Sequence, residues 1–225
     1  LLTQVKTILA ISGAQKVNLI GHSHGGHSVR YVAAMLPAQV ASISTVGTPA
    51  QGSPVDDLIL SAGESSPAFG SVAYVVLNAA NDLLKLLTGD KTTSNAKASI
   101  YSLSARGSAE FTQRFPQGMP TTACGQGAAV VNGVRYYSWG STSVRTNILD
   151  PIDILFSITS LAFKGAANDG MVGKCSSHVG VVIRDDYKMN HFDQVNQFFG
   201  LRDIFGTDPL SVFRQQGNRL KNAGL

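Results

Sequence analysis

Leu1, Leu2, Val5, Ile8, Leu9 and Ile11 recur at the spacing of one helix face, and Gly13 supplies a stop. Lys16–Ile20 then reads as a strand. Helical spacing returns over residues 25–36, with Val29, Val32, Ala33 and Leu36 on one face, and Pro37 ends it. Val40–Val46 reads as a second strand. This helix–strand–helix–strand order predicts a parallel sheet with crossover helices, an α/β architecture. Residues 61–96 differ: turn-forming residues lead into Val72, Val75, Val76, Ala79, Leu83, Leu84, Leu86 and Leu87, an amphipathic helix between loose ends. Asn132-Gly133 between Ala128–Val131 and Val134–Trp139 predicts a hairpin, because that pair supplies the positive φ angles of a tight turn. Pro209–Lys221 predicts a surface helix. No repeat and no low-complexity linker divides the chain, so residues 1–225 are expected to form one domain.

Composition changes this picture little. The chain is 44% hydrophobic and 14% charged, with a net charge of +4. Its charge is low against roughly 25% for soluble domains, which implies a surface rich in small polar and apolar groups. The positive charges are dispersed, and Arg214 to Lys221 fit a solvated helix face better than a nucleic-acid site. No apolar run reaches the roughly 18–20 residues that a membrane-spanning helix needs. Cys124 and Cys175 lie far apart without metal-ligand spacing, so they form either a disulfide or two free thiols.

The chemistry concentrates at Gly21-His22-Ser23-His24-Gly25, which follows a predicted strand and precedes a predicted helix. That is the setting of a G-x-S-x-G nucleophile elbow, with glycines where side chains two places either side of the serine would collide. The helix start behind Ser23 offers N–H groups to a developing oxyanion, and the His24 N–H is one such donor. A serine hydroxyl needs a base. His22, His24 and His27 lie within or beside the elbow and point the wrong way. His178 precedes the apolar run Val179–Ile183, whereas His191 follows it, at the end where a base is expected. The acid is expected after an earlier strand. Asp169, in the turn Asn168-Asp169-Gly170 after the apolar stretch Ile154–Phe163, is better placed than Asp150, although a turn aspartate is commonly only a turn former.

The stretch Lys16-Val-Asn-Leu-Ile-Gly-His-Ser-His-Gly-Gly, followed by Arg30-Tyr-Val-Ala-Ala, resembles the secreted true lipases of Pseudomonas, Burkholderia and their relatives. The similarity runs on through Phe115-Pro-Gln-Gly, Ala123-Cys-Gly, Tyr136-Tyr-Ser-Trp, Leu149-Asp-Pro, Asn168-Asp-Gly, Cys175-Ser-Ser-His and Met189-Asn-His to the C-terminus. The resemblance implies an α/β-hydrolase fold, a mostly parallel sheet flanked by helices, and hydrolysis of triacylglycerols through an acyl-enzyme. It maps the triad onto Ser23, Asp169 and His191. It implies a structural calcium ion held by Asp150, Asp193, Gln197 and Leu201, the last two through backbone carbonyls. Such hard oxygen ligands in irregular loops suit that ion. It also implies a Cys124–Cys175 disulfide, hence secretion through an oxidising compartment such as the periplasm, a helical lid over about 67–90, and dependence on a membrane-anchored folding chaperone.

Members of that family begin upstream with strands, one ending in a His-Gly loop that supplies the second oxyanion donor. Those first strands are missing from this chain, so the sequence is expected to be a partial one. Two other activities fit the same residues: a carboxylesterase for short, soluble esters, and a catalytically inactive hydrolase-like binding module.

Overall fold

The computed structural model describes residues 1–65, 95–197 and 200–225. The expected lid at 67–90 lies outside the described residues. All the described strands belong to one sheet. Helix α1 (Leu2–Ser12) ends at Gly13, whose left-handed φ of 70° stops it. Strand β1 (Val17–His22) leads into α2 (His24–Met35) and then β2 (Val40–Val46). Helices α3 (Pro54–Ser65), α4 (Ala96–Leu103) and α5 (Ala105–Arg114) follow. The hairpin β3 (Val130–Val131) and β4 (Val134–Ser141) turns at Asn132 and Gly133, with φ of 51° and 79°. Helix α6 (Ile152–Thr159), β5 (Val181–Tyr187) and α7 (Pro209–Asn222) complete the chain.

Strands β1, β2, β4 and β5 run parallel in that order, and β3 pairs antiparallel with the first two residues of β4. The burial follows this order. Every residue of β2 is buried, and its sequence Val-Ala-Ser-Ile-Ser-Thr-Val lacks strict alternation, as a strand covered on both faces should. One face of the sheet packs Val5, Leu9, Val29 and Val32 of α1 and α2 against Val40, Ile43, Val134 and Tyr136. The other packs Trp139, Tyr187 and Met189 against Val212 of α7.

The structure departs from the expected elements at two places. The stretch Ile154–Phe163, which stood where a strand should lead to the acid, is helical: α6 and a 3-10 turn, Ser160–Phe163. Ile154, Leu155, Ile158 and Leu161 face solvent, while Phe156 is buried. The strand that leads to the acid is β4, one crossover earlier. The late strand begins at Val181, not Val179, and continues through Arg184-Asp185-Asp186, because an edge strand can turn charges outward. Helix α7 is the expected surface helix, with Val212, Gln216 and Leu220 buried along one face.

Candidate active site

The parallel strands end on one side of the sheet, and the loops that leave them there carry the candidate residues. At the end of β1 the chain reverses through Ser23, with φ 54° and ψ −126°. A non-glycine residue adopts that conformation only where its surroundings enforce it. Here the Ser23 N–H donates to the Val46 carbonyl at 2.9 Å, and the Gly26 N–H donates to the Ser23 carbonyl at 3.0 Å. The expected glycine pair is half right. A Cβ at Gly21 would lie 2.3 Å from the Gly25 carbonyl oxygen, but one at Gly25 meets nothing within 4 Å. The second obligatory glycine is Gly26, where a Cβ would lie 2.0 Å from the Thr48 hydroxyl. Helix α2 can therefore pack closely on the loop after β2.

Ser23 Oγ lies 3.0 Å from His191 Nε2, and His191 Nδ1 lies 2.9 Å from Asp169 Oδ2. A carboxylate oxygen accepts, so Nδ1 carries the proton and Nε2 is free to accept from the serine hydroxyl. Asp169 is buried, 1% exposed. Its Oδ1 accepts from the N–H groups of Met171 and Val172, at 2.9 and 2.7 Å. Its Oδ2 accepts from Gln194 Nε2 at 2.7 Å besides the histidine. Four donors thus replace the water that an ionised carboxylate loses on burial. The His191 N–H also donates to the Asp169 carbonyl, at 2.9 Å. The rings of Phe156 and Phe192 flank the imidazole, with centroids 6.4 and 5.9 Å away.

His24 is the first residue of α2, so its N–H belongs to the turn that lacks intrahelical acceptors. Its side chain is tied away from the serine, with Nε2 2.9 Å from Ser102 Oγ on α4. His178 is committed elsewhere: Nδ1 lies 3.0 Å from the Gly125 carbonyl and Nε2 3.0 Å from Asp185. Cys124 and Cys175 are joined in a disulfide. Gln51 Nε2 spans it, donating to the carbonyls of Ala123 and Cys175 at 3.1 Å each.

Several participants carry no sequence signal. Gln194 is recognisable only once it is seen to touch Asp169. Its amide packs where a Cβ at Gly47 would stand, 2.7 Å from Nε2. His22 was set aside as pointing the wrong way, yet its Nε2 lies 2.9 Å from the His191 carbonyl. Loss of water and the neighbouring His191 push its imidazole down to about 3. Asp56, buried in α3, is raised to about 7, chiefly by burial, with Asp57 adding to the rise and Ser53 and His191 opposing it.

The residues expected to hold calcium are partly assembled. Asp150, Asp153 and Asp193 are all buried. The Asp193 carboxyl is pushed up to about 6, first by burial and further by the charges of Asp153 and Asp150. Asp153 has its own support: the N–H groups of Thr146 and Asn147 and the Asn190 side chain. The expected set contains only two carboxylates, and among the described residues no cluster of three acidic, histidine or cysteine side chains is arranged for a metal. Gln197 and Leu201 flank residues outside the described ones, and the Gln197 carbonyl accepts from the Gly200 N–H at 3.3 Å. Asn147 Nδ2 donates to the Arg202 carbonyl at 3.0 Å, holding that segment beside the Asp150 turn. Buried carboxylates that repel one another are what a hard cation relieves, so this chemistry fits the ion.

Comparison with known proteins agrees with this architecture. A family model described as the alpha/beta hydrolase fold matches residues 1–195. A triacylglycerol lipase of Vibrio cholerae is 48% identical over 226 residues, covering all of this chain and 72% of its own. A triacylglycerol lipase of Pseudomonas fragi is 37% identical, covering all of this chain and 80% of its own. Among solved structures, the mature lipase BlEst2 of Bacillus licheniformis aligns with a TM-score of 0.53 at 20% identity. That alignment takes in 85% of this chain and 64% of BlEst2, and supports the fold alone. On the strength of the family match and of identities that span all of this chain, the chain belongs to the alpha/beta hydrolases and, within them, to the bacterial triacylglycerol lipases.

Proposed function

We propose that this lipase cleaves the carboxylic esters of triacylglycerols with Ser23 as nucleophile, His191 as general base and acid, and Asp169 as the group that orients His191. The observation that carries the reading is the unbroken hydrogen-bond chain from Ser23 Oγ to His191 to Asp169. In the acylation step His191 Nε2 takes the hydroxyl proton as Oγ bonds to the ester carbonyl carbon. The carbonyl oxygen becomes an oxyanion facing the His24 N–H. Collapse breaks the ester C–O bond, and His191 returns the proton to the departing glyceride oxygen. Water then enters by the same route and releases the fatty acid. Asp169 keeps the His191 ring oriented throughout, held in place by its four donors.

A groove with several apolar side chains supports the preference for long acyl chains over short ones. This groove, of about 730 Å³ between α3 and the α6 region, is lined by Val55, Leu58, Ile158 and Leu161, with Asp57 and Lys164 also in its wall. Bound calcium would be held by Asp150 and Asp193 with the Gln197 and Leu201 carbonyls. It would supply positive charge that pins the His191-bearing loop and takes no part in bond cleavage. The disulfide supports passage through an oxidising compartment on the way to secretion. Dependence on a folding chaperone rests on the family resemblance alone. No helix among the described residues is long and apolar enough to cross a membrane.

Ser23→Ala should lower tributyrin hydrolysis by at least about a thousandfold while leaving the circular dichroism spectrum unchanged. Retained turnover would overturn the nucleophile assignment. A jump in rate when the substrate exceeds its solubility limit is expected of a lipase, and a smooth saturation curve would favour the short-ester reading.

A further inference from the structure

The residue next to the nucleophile makes a contact that the reaction scheme above does not use. His22 ends β1, and its ring lies 4.6 Å from the His191 ring, tilted by 41°. Its Nε2 stands 2.9 Å from the backbone carbonyl oxygen of His191. That oxygen can only accept, so Nε2 bears the proton and the tautomer is fixed by its partner. At its other end the same peptide segment donates, from the His191 N–H to the Asp169 carbonyl at 2.9 Å. The main chain of residue 191 is therefore held on both sides, by the acid's backbone and by the side chain that precedes the nucleophile.

We propose that His22 is a positioning residue for ester hydrolysis: its Nε2–H clamps the His191 carbonyl and so ties the base to the elbow that carries Ser23. This rests on the triad reading given above. The two residues are 169 positions apart in sequence, and β2 and β4 separate their strands in the sheet. The strands that lead to nucleophile and base thus form opposite margins of the described parallel sheet. Their loops meet where Oγ and Nε2 lie 3.0 Å apart, and small relative motions of those strands would open that gap. Because His22 and Ser23 are consecutive, a displacement of the elbow carries the His191 backbone with it. The ring also fills the space against the imidazole and limits its tilt. Since misplacement of a reacting group by about 1 Å can cost a hundredfold in rate, such coupling bears on turnover and not on substrate affinity.

Gln and Met side chains have nearly the same length and shape, and only Gln offers a donor near the Nε2 position. His22→Met should lower kcat for p-nitrophenyl butyrate at least tenfold with KM within twofold of the wild type, and His22→Gln should recover most of the loss. Equal rates for the Met variant and the wild type, or a Gln variant as poor as the Met one, would overturn the clamp. A role confined to stability predicts lower melting temperatures with no selective fall in kcat. If neither variant folds, a long-range 1H–15N spectrum of the wild type decides the matter. The clamp requires a neutral His22 ring protonated at Nε2 at neutral pH, and an Nδ1-protonated or doubly protonated ring contradicts it. A wild-type protein without esterase activity would sink the triad reading instead, and the spectrum would still judge the clamp.

Discussion

At the scale of single residues, sequence spacing pointed to the residues proposed to bear the chemistry but not to those that support them. Ser23 and His191 were legible because an elbow between a strand and a helix, and a histidine after a late strand, leave marks in local order. Gln194 left none, since a glutamine in a loop has no periodicity and its value lies in reaching Asp169 from another turn. A hydrogen bond to a charged group contributes about 1.5–3 kcal/mol, so Gln194→Leu should lower kcat by about tenfold or more in steady-state assays. An unchanged kcat would show that the remaining three donors suffice. The glycines divide in the same manner. Gly21→Ala should abolish activity, because its Cβ would press on the Gly25 carbonyl at 2.3 Å and shift the elbow, whereas Gly25→Ala meets open space and should stay within a few-fold of the wild type.

At the scale of elements, β2 was read to its true limits because a fully buried parallel strand is a continuous run bounded by turns. The stretch Ile154–Phe163 misled because a short apolar run looks alike in a buried strand and in a helix. As a helix it buries Asp153 and Phe156 on one side and leaves Ile154, Leu155 and Ile158 exposed on the other. The loop after Asp169 is tied to the segment before β3 by the Cys124–Cys175 bond, with a sequence separation of 51. Closing a loop of that length removes about 4 kcal/mol of unfolded-state freedom. The double variant Cys124→Ser/Cys175→Ser should lose stability on that scale in denaturant melts, and a change below 1 kcal/mol would show the bond to be incidental. Calcium belongs to the same scale. At a hundredfold excess over its dissociation constant an ion adds about 2.7 kcal/mol to the folded state. Chelation should therefore lower the melting temperature, and Asp150→Asn should remove the response. A melting temperature indifferent to chelator would dismiss this site.

At the scale of the whole molecule, the parallel architecture was visible in the alternation of helix and strand, but the order of strands and the two-sided core were not, because they depend on contacts far apart in sequence. The buried polar groups behind α2 belong to this class. His27 is buried with neither ring nitrogen hydrogen-bonded, and burial, with Arg30 and His24 nearby, pushes it from 6.5 down to about 3. Between pH 6.5 and about 3 the unfolded chain binds a proton at this ring that the folded protein does not, so stability rises with pH across that window and is lost on acidification. His27→Leu should flatten the acid slope of unfolding free energy by up to one proton, and an unaltered slope would show that the ring is charged or solvated in the folded state. The proposed hydrolysis turns on the relay between Ser23, His191 and Asp169. Its most direct test is mass-spectrometric mapping of the adduct left by an active-site-directed phosphonate. A single adduct on the peptide containing Ser23, nearly lost in His191→Gln at equal protein and time, is the expected result. Labelling at another residue, or labelling of Ser23 at an undiminished rate without the imidazole, would contradict it.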